Sequence, residues 1–122
     1  MMDFDSILKD SGEKITGCVA VSLVGTDGIA LASYTKYPQA DLSLADAELA
    51  TLAITAEKIS KEIGAGEMAE IILITGKMTI VTGMIGKDYY IYYALTGKEQ
   101  NVGLARYEIK RLATELSPVL YS

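Results

Sequence analysis

Two apolar runs that meet at Asp27-Gly28 constrain this chain more than any other feature. They lie in GCVAVSLVGTDGIALASY, from Gly17 to Tyr34. An Asp-Gly pair adopts the left-handed backbone of a tight hairpin turn, so strands are predicted over 17–24 and 29–34 with Thr26-Asp27-Gly28 between them. Both runs are apolar on both faces. Such strands need a covering layer above and another below, which points to a sheet between helices.

The rest of the chain supplies those layers. Phe4, Ile7, Leu8 and Ile15 mark one side of a short helix over 4–15, with Gly12 near its end. Tyr37-Pro38-Gln39 reads as a loop. Ser43-Leu44-Ala45-Asp46 has the form of a capping box and opens a helix over 43–63, which stops at Gly64-Ala65-Gly66. Ala45, Leu49, Leu52, Ala56, Ile59 and Ile63 recur at spacings of three and four, and are predicted to face the core. Strands are predicted over 70–75, 78–84 and 89–96, joined by Gly76-Lys77 and Gly86-Lys87-Asp88. Such short joints force antiparallel pairing. Tyr89, Tyr90, Tyr92 and Tyr93 suit the last of these strands. A final helix over 102–116 presents Val102, Ala105, Ile109, Ala113 and Leu116, with Pro118 as its stop.

The expected fold is α+β, in the order α-β-β-α-β-β-β-α. One five-stranded antiparallel sheet carries the long helix on one face and the two terminal helices on the other. A length of 122 residues suits one core, so a single domain over 1–122 is expected.

Composition removes several function classes. The net charge of −5 disfavours nucleic acid and anionic membranes as partners. The first residues carry no apolar leader segment, and no apolar run approaches the ~20 residues of a membrane span. The one cysteine, Cys18, fits a small buried hydrophobe in a reducing, cytoplasmic compartment. With no histidine, Ser-His-Asp and Cys-His catalysis and the usual metal constellations are absent. The triplets Thr75-Gly76-Lys77 and Thr96-Gly97-Lys98 are not phosphate loops. Ile71 and Tyr92 stand where the motif needs glycine, and Met78 and Glu99 where it needs Ser or Thr. Glu57/Lys61 and Lys58/Glu62 are i,i+4 pairs typical of a solvated helix face. Arg106 and Arg111, the only arginines, read as solvated charges on the last helix. No catalytic residue, metal site or cofactor is expected.

Interaction surfaces are expected instead. Ala47, Ala50 and Ile54 lie roughly 180° from the apolar stripe of the long helix, flanked by Leu44 and Thr51. Small residues there permit close approach of a second backbone. The strand Glu70-Ile71-Ile72-Leu73-Ile74-Thr75 has no tight hairpin leading into it and no internal proline or lysine. Placed at a sheet edge, it is a pairing hazard that a second copy of the same strand would remove.

The element order, the VGTDGIALAS hairpin and the alanine-rich helix resemble the roadblock/dynein light chain family, and within it the prokaryotic MglB type. The hairpin match is Val24-Gly25-Thr26-Asp27-Gly28-Ile29-Ala30, and its role is the fold. The resemblance implies a homodimer with a continuous sheet and adjacent long helices. It also implies a partner, a Ras-like small GTPase, whose own residues hydrolyse GTP. Leu44, Ala47, Ala50, Thr51, Ile54 and Lys58 are the expected partner or dimer surface, and Ile71, Ile72, Leu73 and Ile74 the dimer edge. The sequence ends at Ser122, so regulation by a C-terminal tail is not expected. The alternatives are an adaptor subunit without effect on hydrolysis and a small-molecule sensor.

Overall fold

The Asp27-Gly28 turn closes as its residues dictate in the computed structural model, which describes residues 2–122. Gly28 takes a φ of +88°, which a side chain would resist. Its N–H donates to the Gly25 carbonyl at 2.8 Å, and Ile29 N–H donates to the Asp27 carboxylate at 3.0 Å. The turn joins β1 (Cys18–Gly25) to β2 (Ala30–Thr35).

The remaining elements are α1 (Phe4–Glu13), α2 (Ser43–Glu62), β3 (Glu70–Ile74), β4 (Met78–Ile85), β5 (Tyr89–Thr96) and α3 (Val102–Leu120). The strands form one antiparallel sheet in the order β2-β1-β5-β4-β3. This is the α+β arrangement expected from the sequence. The last strand in sequence is therefore the central one, bonded to β1 on one side and β4 on the other. That position explains its unbroken apolar run. Ile91, Tyr93 and Leu95 enter the larger core, which α1 and α3 cover through Leu8, Ile15, Ala105, Ile109, Leu112 and Leu116. Tyr90 and Tyr92 point the other way, into a smaller cluster with Val24, Leu49 and Ala50 beneath α2.

Two glycines mark where layers come closest. A methyl at Gly83 would overlap Ile109 of α3, and one at Gly12 would lie 2.8 Å from Val21 Cγ2. Gly12, near the end of the predicted helix over 4–15, thus lets α1 settle on β1. The helix ends one residue later, at Glu13. Pro118 does not stop α3, since the helix continues to Leu120. The chain end is fastened instead by Tyr121. Its hydroxyl donates to the Ile85 carbonyl at 2.9 Å and accepts from Asp88 N–H at 2.9 Å.

The two sheet edges differ. On β2 the pairing with β1 shifts register between Leu23 and Val24, a bulge that discourages a further strand. On β3 the register runs without a break from Glu70↔Gly83 to Ile74↔Thr79, and among the described residues no strand pairs with its outer side. The strand predicted to be a pairing hazard occupies the unprotected edge.

Candidate protein-interaction surface

The rotation of α2 about its own axis decides which residues it offers to a partner. Asp46 fixes that rotation. Ser43-Leu44-Ala45-Asp46 does not form the predicted capping box; the N-cap is Leu42, with no side-chain cap bond. Ser43 N–H donates to the Asp41 carboxylate at 2.9 Å instead. Asp46 turns into the sheet and is buried. Its carboxylate accepts from the Tyr92 hydroxyl at 2.8 Å, and its backbone carbonyl accepts from the Tyr90 hydroxyl. Burial and the Asp46 charge push both phenols above the usual tyrosine range. The stacked tyrosine rings lie 6.4 Å apart.

With Asp46 inward, the buried residues of α2 are Asp46, Leu49, Ala50 and Ala53. The predicted core stripe is therefore misplaced by roughly 90° around the helix. Of its members only Leu49 is buried; Leu52, Ile59 and Ile63 are exposed, Ile63 to 73%. The reason is steric. A Cβ on Gly28 of the β1–β2 turn would lie 3.3 Å from Ala47 Cα and 4.0 Å from Ala50 Cβ. The helix approaches the hairpin on its alanines, and its large aliphatic side chains are left outside.

The predicted partner residues divide accordingly. Leu44, Ala47, Thr51, Ile54 and Lys58 are exposed. Ala50 is 3% exposed and belongs to the core, which corrects its assignment to the partner surface. Lys58 forms no ion pair with Glu62 among the described residues, whereas Glu57 and Lys61 stand 3.8 Å apart. On β3, Ile71 is half-buried, and Ile72, Leu73 and Ile74 are exposed. Leu73 pairs with Ile80, which packs under α2, so Leu73 shares the α2 face of the sheet. Ile72 pairs with Val81 of the larger core and faces the other way.

Neither arginine is free. Arg106 grips Glu70 of β3 at 2.8 and 3.2 Å. Arg111 closes a network that the sequence did not announce. It holds Glu108 through bonds of 2.8 Å and reaches Glu115 at 3.1 Å. Glu108, 2% exposed, also accepts from Ser11 of α1, whose hydroxyl lies 2.6 Å from the Tyr93 hydroxyl of β5. Chiefly through Arg111, the Glu108 carboxyl is held down at about 2. This cluster ties α1, β5 and α3 together. The only signal for it was the polar Ser11 and Glu108 on otherwise apolar helix faces. Cys18 is part-buried, and burial pushes its thiol up to about 11, away from reactivity.

Among the described residues no group of three or more His, Cys, Asp or Glu side chains could hold a metal ion. Among the described residues no helix is long and apolar enough to cross a membrane.

No protein-family model and no curated protein matches the sequence. Solved structures do. A Roadblock/LC7 domain from Streptomyces avermitilis is similar over 99% of this chain and 100% of its own, at 15% identity and a TM-score of 0.88. Myxococcus xanthus MglB is similar over 98% of both chains, at 19% identity and a TM-score of 0.81. MglC from Myxococcus xanthus is 25% identical over 96% of this chain and 98% of its own, with a TM-score of 0.65. Near-complete coverage at these scores establishes that the chain has the roadblock/LC7 fold.

Proposed function

We propose that this protein is a self-pairing module that binds a Ras-like small GTPase and regulates its nucleotide cycle, without catalysis of its own. The observation that carries the reading is the bare β3 edge of a sheet whose α2 leaves Leu52, Ile59 and Ile63 exposed. Pairing β3 with its copy would satisfy the open backbone groups and continue the sheet across two protomers. It would also bring exposed aliphatic side chains of two α2 helices toward one another. The flank of α2 used for self-pairing is then the one carrying Leu52, Ile59 and Ile63, in place of Ala50. The GTPase follows from the resemblance to MglB-type proteins, whose fold this chain shares.

The test has two stages. Light scattering across a dilution series is expected to give twice the 13.1 kDa chain mass down to low micromolar concentration. Single-turnover GTP hydrolysis or nucleotide release by Ras-like GTPases of the same genome is then expected to change when the protein is added. A monomer at every concentration overturns the self-pairing. Binding with unchanged rates replaces regulation by the adaptor reading.

A further inference from the structure

The free edge of β3 carries a pattern that selects how it is covered. Met84 N–H donates to the Ala69 carbonyl and Thr75 N–H to the Met78 carbonyl, each at 2.9 Å. In an antiparallel pair, successive residues turn their backbone groups alternately toward the neighbouring strand and away from it. Ala69, Ile71, Leu73 and Thr75 therefore face β4 with theirs. Glu70, Ile72 and Ile74 turn theirs outward, where no strand pairs with them among the described residues. This open stretch is bounded at both ends. Met68 N–H, next in the outward series, is already taken by the Glu57 carboxylate at 2.9 Å. Gly76 lies in the turn between β3 and β4.

We infer that a second copy of this chain pairs with β3 in one antiparallel register, with Ile72 on the two-fold axis. The inference rests on the self-pairing reading and gives it a geometry. A two-fold interface is self-complementary, so the only freedom along the strand is the residue placed at its centre. Centred on Ile72, Glu70 meets Ile74 of the copy and Ile72 meets itself. All three outward residues then exchange both of their backbone bonds. Centred on Ile71, Ile74 meets Met68 of the copy, whose N–H is spent. Centred on Leu73, Glu70 meets Gly76 in the turn. Each slip leaves backbone groups unmatched where the interface closes over them, and an unmade bond there costs more than a made one returns.

The side chains favour the same centre. On the α2 face, half-buried Ile71 meets exposed Leu73 of the copy, at the closer spacing of a non-hydrogen-bonded pair. On the opposite face, exposed Ile72 packs against its own counterpart. Glu70 beside Ile74 of the copy would be a poor match with a free carboxylate. Arg106 of α3 holds that carboxylate at 2.8 and 3.2 Å, so it is paired before the two edges meet. Just past the strand, the same count brings exposed Glu67 to the end that carries the copy's exposed Lys77, with opposite sign. A centre at Ile71 or Leu73 sets Lys77 against Ala65 or Ala69 instead.

Disulfide trapping in the full chain tests the register, with Cys18 replaced by alanine in every variant. Ile72→Cys is expected to link to itself under mild oxidation, because opposed Cα atoms in a hydrogen-bonded pair lie about 5.5 Å apart, within disulfide reach. Ile71→Cys co-expressed with a tagged Leu73→Cys is expected to link as a mixed dimer. That link should form at least about tenfold faster than either variant links alone, since thiols held opposite one another meet at millimolar effective concentration. Self-linking of Ile71→Cys or Leu73→Cys at the rate of Ile72→Cys moves the axis and overturns the register. Slow linking in every variant overturns it too. Light scattering on the parent chain reads the self-pairing separately. A monomer overturns that reading and the register with it; a dimer with the wrong linking pattern overturns the register alone.

Discussion

Replacing Glu108 by glutamine keeps its shape and removes its charge, and the structure sets the cost. The folded carboxyl titrates at about 2, against an ordinary 4.5. Each pKa unit is about 1.4 kcal/mol, so the ionised form contributes about 3 kcal/mol to stability. A second route gives a similar figure. Removing one partner of a buried ion pair costs about 3–5 kcal/mol. Arg111 is partly open to water and keeps Glu115 at 3.1 Å, which places this case at the lower end. Because the folded pKa lies below the unfolded one, the contribution is full above 4.5 and is lost as pH falls toward 2. Urea unfolding followed by circular dichroism tests this, with protein concentration held fixed because the proposed self-pairing would add to stability. Glu108→Gln is expected to be about 3 kcal/mol less stable than the parent at neutral pH, or about 10 °C in Tm. Near pH 2.5 the gap is expected to close to about 1 kcal/mol. A gap of the same size at both pH values refutes the assignment of the stability to the Glu108 charge.

Other substitutions probe separate parts of the argument. Gly83→Ala places a methyl against Ile109 and is expected to cost about 1–3 kcal/mol in the same unfolding assay; a neutral result means that α3 sits less tightly on β4. Leu73→Lys puts a charge on the bare edge at an exposed site, so the scattering mass is expected to fall to that of the monomer with the unfolding transition retained. A persisting dimer moves the interface elsewhere. Tyr121→Phe keeps the ring beside Tyr89 and removes both hydroxyl bonds; hydrogen exchange at Asp88 N–H is expected to quicken about tenfold, the effect of losing one hydrogen bond of about 1.4 kcal/mol. Unchanged exchange there means that the Tyr121 hydroxyl does not hold the β4–β5 turn.

Element order and sheet class were legible because each rests on local chemistry. Asp27-Gly28 sets a turn and short glycine joints set antiparallel pairing; the edge position of β3 was a condition in the sequence and is supplied by the strand order. The orientation of α2 was not legible. Its large aliphatic side chains form the clearest periodic stripe, and periodicity alone cannot separate a face buried in the chain from one left for another molecule. Two contacts hold the helix as it lies: the Asp46 carboxylate and carbonyl, matched to tyrosine hydroxyls 44 and 46 residues away in sequence, and the close approach of Ala47 to Gly28. The same limit hid the Ser11–Glu108–Arg111 network, whose members come from opposite ends of the chain. Ile54 was found from its side of the helix, but its neighbours Met68, Met84 and the β4–β5 turn are brought to it only by folding.

The uneven division of the two cores has a consequence for how such a protein can diverge. The sheet's larger core lies under α1 and α3, while α2 rests on a small cluster and two tyrosine hydroxyls. Mutations at Leu44, Ile54, Ile59 or Ile63 alter what the outside world meets and leave the larger core under α1 and α3 untouched. A lineage can therefore change the exposed face of α2 by small steps, each tolerated because the scaffold beneath does not register it. The same shape carried by chains of 15% and 19% identity is the outcome such a division of labour permits.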